Sequence, residues 1–258
     1  MLRIIKHSKG ILVAMSLCNI AFANECDNFY AVGSNHAAPI AYTDEASGQP
    51  QGVAFELFSA ISSELKVPVQ YLAGVAWSRA NAWLDVGEVD VLLGVYSTPE
   101  REQKWLLSAP FLEEGSGIFM LSNQISSVKS LQDLQGLRGG AINSSSYGEL
   151  IDKHKEQLAL FYTTSERELF RMLLADRLDY VVAAQWDAHH VLTDMNALQE
   201  VSVVPELGDM NTLHIAFSRK TACGKYIEQV NELINQYRAS GKIDAWLNTF
   251  QRNNVSSH

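Results

Sequence analysis

Long apolar runs are scarce in this 258-residue chain. The prominent one, residues 11–22, falls short of the ~20 residues that a membrane-spanning helix needs. No second stretch of spanning length follows, which excludes a polytopic membrane protein. Positive charge is also in short supply, with 20 Lys and Arg against 29 Asp and Glu and a formal net charge of −9. No basic cluster offsets that balance, so binding to a nucleic-acid phosphate backbone is excluded. Cysteine is limited to three residues, and the seven histidines form no metal set. His189 and His190 are adjacent, point in different directions on a helix, and have neither an H-x-x-x-H partner nor nearby cysteines. A G-x-S-x-G elbow, a Walker loop and a G-x-G-x-x-G fingerprint are all missing, so hydrolase and nucleotide readings lack support and no cofactor is expected.

The amino terminus has a job of its own. Arg3, Lys6 and Lys9 precede the short apolar run, and Ala21-Phe22-Ala23 fits a small-x-small cleavage site. Residues 1–23 are therefore read as a signal peptide cleaved after Ala23, with an uncleaved anchor as the alternative. Leu17 is too bulky for lipid attachment at Cys18. Losing three positive and no negative charges takes the balance from −9 to −12. The remainder is expected to be soluble and periplasmic, and long enough for two modest cores or one large one. Cys26 and Cys223 survive cleavage. An oxidising compartment allows them to pair, which would put both chain ends in one lobe; the alternative is two buried thiols.

Strand and helix patterns alternate along nearly the whole chain. Strands are predicted at 30–34, 67–72, 89–95, 138–143, 158–162, 180–184 and 213–218. Helices are predicted at 55–65, 78–86, 147–155, 166–175 and 187–195, and a last one from 225 breaks at Gly241. Such alternation argues for an α/β protein with mostly parallel sheets and covering helices.

The stretch 77–111 is the most informative. A helix ends at Gly87, a buried strand follows, and a polar turn carries Arg101 just past the strand's carboxyl end. Ligands bind beyond the carboxyl ends of strands in open α/β sheets, and a guanidinium there suits a carboxylate or phosphate. The segment 83–90 has an echo at 173–179, which points to two similar lobes. Residues 112–117 and 205–211 contain glycine and acids without helical period, and they read as two crossings between lobes. Two crossings define a hinge.

Gly52 with Glu56, Gly87-Glu88-Val89-Asp90, Thr98-Pro99-Glu100-Arg101, Ser108-Ala109-Pro110-Phe111 and 130–136 occur in an order that resembles the family 3 periplasmic solute-binding proteins of polar amino-acid ABC transporters. The resemblance implies a two-lobed clamshell, with lobe I at 24–113 and 211–258, lobe II at 114–210, and two crossover hinge strands. It implies a monomer that closes on a small polar, carboxylate-bearing solute and works with an ABC permease or a membrane sensor. By position, Arg101 would bind the ligand carboxylate, with Tyr96 and Gly94 beside it. Ser145 and Ser146 would face it from lobe II, either as ligand contacts favoured by a helix dipole or as caps of the following helix.

Departures from the family pattern bear on the ligand. Ala184 stands where many amino-acid binders place an aspartate for the ligand ammonium, leaving Gln185 and Asp187 as substitutes. Ser34, Asn35 and His36 stand where an aromatic platform is usual. Trp77 either replaces that platform or packs in a core. Arg79 is either a second cation or part of a solvated helix face. An enzyme resembling the cyclohexadienyl dehydratases is the remaining alternative; it would take Glu56, Asp187 or His36 as general acid.

Overall fold

The computed structural model describes residues 25–44 and 47–256, with side chains through 251. The export segment and its cleavage site lie outside the described residues. The chain opens with β1 (Phe29–Gly33), then a small three-stranded sheet of β2 (His36–Ala37), β3 (Ala41–Thr43) and β4 (Pro50–Gln51). Next come α1 (Val53–Leu65), β5 (Val69–Tyr71), α2 (Trp77–Val86), β6 (Val91–Tyr96), α3 (Pro99–Lys104) and β7 (Trp105–Leu107). A long strand, β8 (Leu112–Leu121), leads to β9 (Gly139–Ile142), α4 (Glu149–Asp152), β10 (Leu160–Thr163), α5 (Glu166–Leu174), β11 (Tyr180–Ala184), α6 (Gln185–Asp194) and β12 (Val201–Val203). The strand β13 (Met210–Ser218) precedes α7 (Ile227–Ala239) and α8 (Lys242–Ser256).

The main strands lie in the order β10-β9-β11-β8-β13-β6-β1-β5. At one end β1 is parallel to β5 and β6; at the other, β9 is parallel to β10 and β11. An antiparallel pair joins these blocks, with Leu112–Gly115 of β8 against Met210–Leu213 of β13. Past that point β8 runs antiparallel to β11, and β13 runs antiparallel to β6. The two crossover strands are therefore bonded to each other between two α/β halves.

Both crossings are more regular than expected. The segment 112–117 belongs to a ten-residue strand, and the end of 205–211 opens another. Gly115 and Gly117 read as loop residues in sequence, but they serve close packing. A Cβ on Gly115 would sit 2.6 Å from the Gln185 side chain, and one on Gly117 would sit 2.9 Å from Val203. The helix expected at 147–155 shrinks to α4 because Asp152 turns back to accept from Tyr147 N and Ser146 Oγ. The break at Gly241 holds, but a further helix, α8, starts directly after it.

Alternation along the strands builds a core on each sheet face. In the first half, Phe29, Phe58 and Phe217 meet edge to face, with ring centroids 5.2–6.2 Å apart, under α1 and α7. Val32, Leu92, Leu84 and Trp105 fill the opposite face. In the second half, Ile118, Tyr180 and Val182 point to one side, and Phe119, Val181 and Phe170 to the other. A Cys26–Cys223 disulfide, Cα atoms 4.9 Å apart, ties the start of β1 to the turn before α7. Among the described residues no helix is long and apolar enough to cross a membrane.

Candidate functional site

The site starts from a defect in β6. Opposite His214 and Ile215 of β13, the pairing skips from Val95 to Leu93 and leaves Gly94 as a bulge. Gly94 adopts φ +76°, which a side chain disfavours, and a Cβ there would stand 3.0 Å from Ile40 Cγ2. The strand then delivers Tyr96 and the α3 turn. Thr98 caps α3 by accepting from Arg101 N at 3.2 Å, and Pro99 takes a position with no helical donor duty. The Thr-Pro-Glu-Arg string thus makes a short helix rather than an open turn.

Arg101 leaves this helix buried, with 8% of its surface exposed. Its guanidinium donates to Tyr96 O at 2.9 Å, within its own half, and to Ser144 O at 3.4 Å, in the other half. Cζ also lies 5.7 Å from the centre of the Trp105 ring. Burial lowers its pKa to about 10, partly offset by the negative charges of Asp152 and Glu100. Arg101 is still a full cation at neutral pH.

The facing turn from the second half is held by its own contacts. Ser144 has φ +61°. Lys155 Nζ donates to Ser145 O at 2.7 Å, and Ser146 Oγ donates to Asp152. The helix that follows is capped at Gly148 with no side-chain cap bond and spans four residues. The capping role foreseen for Ser145 and Ser146 is therefore corrected, and so is the helix-dipole argument, because residues 147–148 separate the serines from a single helical turn.

A cavity of about 290 Å³ opens between the halves. Ser34, Asn35, His36, Trp77, Gly94, Tyr96 and Arg101 line it from the first half, and Ser145, Ser146 and Asp187 from the second. Asn35 also braces its rim, donating to Val75 O at 2.8 Å and accepting from Gly74 N at 3.2 Å. Ser34 Oγ accepts from His36 N at 3.1 Å. Two expected site residues lie elsewhere. Arg79 is exposed on α2 and is not among the residues lining the cavity. Gln185 is exposed and packs its amide over Gly115. Glu56, an acid considered for catalysis, is exposed on α1 away from the cavity lining.

Two acidic lining residues were not among those expected from the sequence, Glu114 and Glu166. Glu114 lay in a presumed loop crossing, and Glu166 looked like an ordinary acid in a helix's first turn. With Asp187 they form a buried acidic group, at 4%, 6% and 9% exposure. Glu114 is the best satisfied, accepting from Tyr96 Oη at 2.8 Å and from Trp186 N at 3.2 Å. Burial raises its pKa to about 7 despite these bonds. Burial, with the charge of Glu114, raises Glu166 to about 8. Asp187 is pushed well up by burial and then by Glu166 and Glu114. Glu166 Oε2 and Asp187 Oδ1 accept no hydrogen bond. The cavity thus offers a cation at one side and under-satisfied carboxyl groups at another.

The profile of the bacterial extracellular solute-binding proteins, family 3, matches residues 30–253. No curated protein matches the chain by sequence. Among solved structures, a histidine kinase sensor domain with similarity to periplasmic binding proteins is 22% identical, covers 86% of this chain and 95% of its own, and superposes with a TM-score of 0.76. An amino acid ABC transporter substrate-binding protein from Streptococcus pneumoniae, bound to L-arginine, is 18% identical over 89% of this chain and 96% of its own, with a TM-score of 0.76. An ancestral arginine-binding protein bound to arginine is 23% identical over 87% and 98%, with a TM-score of 0.74. These neighbours share the two-lobed periplasmic-binding-protein fold.

Proposed function

Because the chain belongs to family 3 of the bacterial extracellular solute-binding proteins, we propose that it captures a small, polar, carboxylate-bearing solute of amino-acid type by closing two lobes around it. Lobe I comprises 24–113 and 211–258, and lobe II comprises 114–210. The crossover strands β8 and β13 form the hinge. The observation that carries this reading is Arg101, a buried guanidinium that lines the interlobe cavity and reaches carbonyls of both halves. Five donors in a planar fork suit a carboxylate, and exclusion of water strengthens the bonds. Trp77 and Tyr96 supply apolar wall, and Ser145 and Ser146 approach from lobe II. The closed form prevails through contacts that the ligand makes only there.

The working context is ABC uptake after export to the periplasm, as a monomer partnered by a permease. Docking on a membrane sensor is the second reading, favoured by the fold shared with a kinase sensor domain. Catalysis is not part of the proposal, since the family consists of binding proteins. Arg101→Ala is expected to weaken binding of the solute more than tenfold in calorimetry. A change below threefold contradicts the assignment.

A further inference from the structure

We propose that Tyr42 and His190, with Phe250 behind Tyr42, form a latch between the two halves, outside the solute cavity, and that this latch sets how fast a bound solute is released. The inference rests on the reading of two lobes that close, and it names contacts that hold the closed form. None of the three residues lines the cavity. Tyr42 belongs to β3 and Phe250 to α8, both in the first half, whereas His190 belongs to α6 in the second. The Tyr42 and His190 rings lie 6.4 Å apart, centre to centre, and are tilted by 45°. Phe250 meets the Tyr42 ring edge to face at 6.3 Å. Both separations fall within the range over which aromatic rings attract.

Local geometry brings these rings together. Residues four apart share one face of a helix, so Trp186 and His190 project from the same side of α6. Trp186 packs against the apolar core of the first half. His190 is carried along that half one turn further on, where α6 packs against β2. Asp194, another turn on, anchors the imidazole: its Oδ2 lies 3.8 Å from His190 Nε2 and 2.8 Å from the guanidinium of Arg167 on α5. Across the cleft, antiparallel pairing sets Tyr42 opposite His36 of β2 and Gln51 of β4, so the three side chains form a row on one face of the small sheet. Tyr42 Oη donates to Gln51 Oε1 at 3.3 Å. His36 lines the cavity. The small sheet thus offers one residue to the solute and the next to the opposite half.

The ring contact exists only while the halves meet, because its partners lie on opposite sides of the β8–β13 hinge. A contact made in the closed form and lost in the open form favours closure. A ring pair of this kind shifts such an equilibrium by roughly two- to tenfold. The solute in the cavity touches neither ring, so its encounter with the open form is unaffected and the effect falls on release.

The test is stopped-flow tryptophan fluorescence of the whole protein with L-arginine and with L-glutamine, for the parent chain, Tyr42→Ala, His190→Ala, the double variant and Tyr42→Phe. Each alanine variant should speed release roughly two- to tenfold and leave the association rate within about twofold. The double variant should release no faster than the faster single variant, because both remove one contact. Tyr42→Phe, which keeps the ring, should restore the parent rate. Unchanged release, or effects of the two alanine substitutions that multiply in the double variant, overturns the latch while leaving capture by Arg101 intact. A second arm needs no solute: the Tyr42→Cys, His190→Cys chain is treated with a short bis-methanethiosulfonate reagent and read by peptide mass spectrometry. An intramolecular cross-link between the two positions supports the contact, and its absence overturns the latch. If neither amino acid binds, the carboxylate reading is weakened and the cross-link alone decides the latch.

Discussion

At the residue scale, the tension lies between one buried cation and three buried acids. Arg101 is committed to carbonyls on both sides of the cleft, whereas Glu166 and Asp187 are left wanting donors. This arrangement has a consequence for stability without ligand. A carboxyl whose native pKa is raised binds its proton more tightly folded than unfolded. Its stabilising contribution is present in full below the unfolded value near 4.5 and is lost as pH rises through the native value, about 8 for Glu166. Glu166→Gln has no proton to lose. Thermal unfolding of ligand-free protein between pH 5 and pH 8 should show a smaller loss of stability in the variant than in the parent chain. Equal pH dependence in both would contradict a proton held on buried Glu166. Arg101 was legible in sequence from its place just past a buried strand. Glu114 and Glu166 were not, because only the tertiary fold brings β8 and the start of α5 to one cavity.

At the element scale, the site depends on local irregularities that serve as positioning devices. The bulge at Gly94 redirects β6 so that Tyr96 and α3 face the cleft. Forcing alanine into φ +76° against Ile40 should destabilise the fold by about 1–3 kcal/mol. Urea unfolding of Gly94→Ala measures this, and a loss under 0.3 kcal/mol would show that the bulge relaxes freely. Elements with strong periodicity, such as α1, β6, α5 and β11, were readable from sequence because one face or the whole strand is apolar. The two-residue strands β2 and β4 and the short helix α3 were not, since their bonds come from tertiary neighbours and caps rather than from a repeating pattern. The glycines of β8 misled for a related reason: Gly115 and Gly117 make room for Gln185 and Val203, and sequence shows the gap without what fills it.

For the whole molecule, the fold was visible in the ordered alternation of strands and helices and in the family's motifs, because both halves obey the same strand–helix logic. What closes the first half covalently is the Cys26–Cys223 bridge, which spans 197 residues and passes around the entire second half. Mass spectrometry of unreduced periplasmic protein should recover that linkage and a mature start at Asn24. Replacing both cysteines by serine should lower stability by about 2–5 kcal/mol, with midpoints read in guanidinium. Free thiols in the exported protein, or an unchanged midpoint, would contradict the bridge's role.

The proposed function needs a solute gripped by its carboxylate between two closing lobes. The most direct measurement is calorimetric titration of the parent protein and Arg101→Ala with the tightest-binding amino acid and with its decarboxylated amine. The amino acid is expected to bind the parent protein more than tenfold tighter than the amine, and Arg101→Ala to remove most of the difference. Equal affinity for acid and amine, or a difference that persists without the guanidinium, would contradict it.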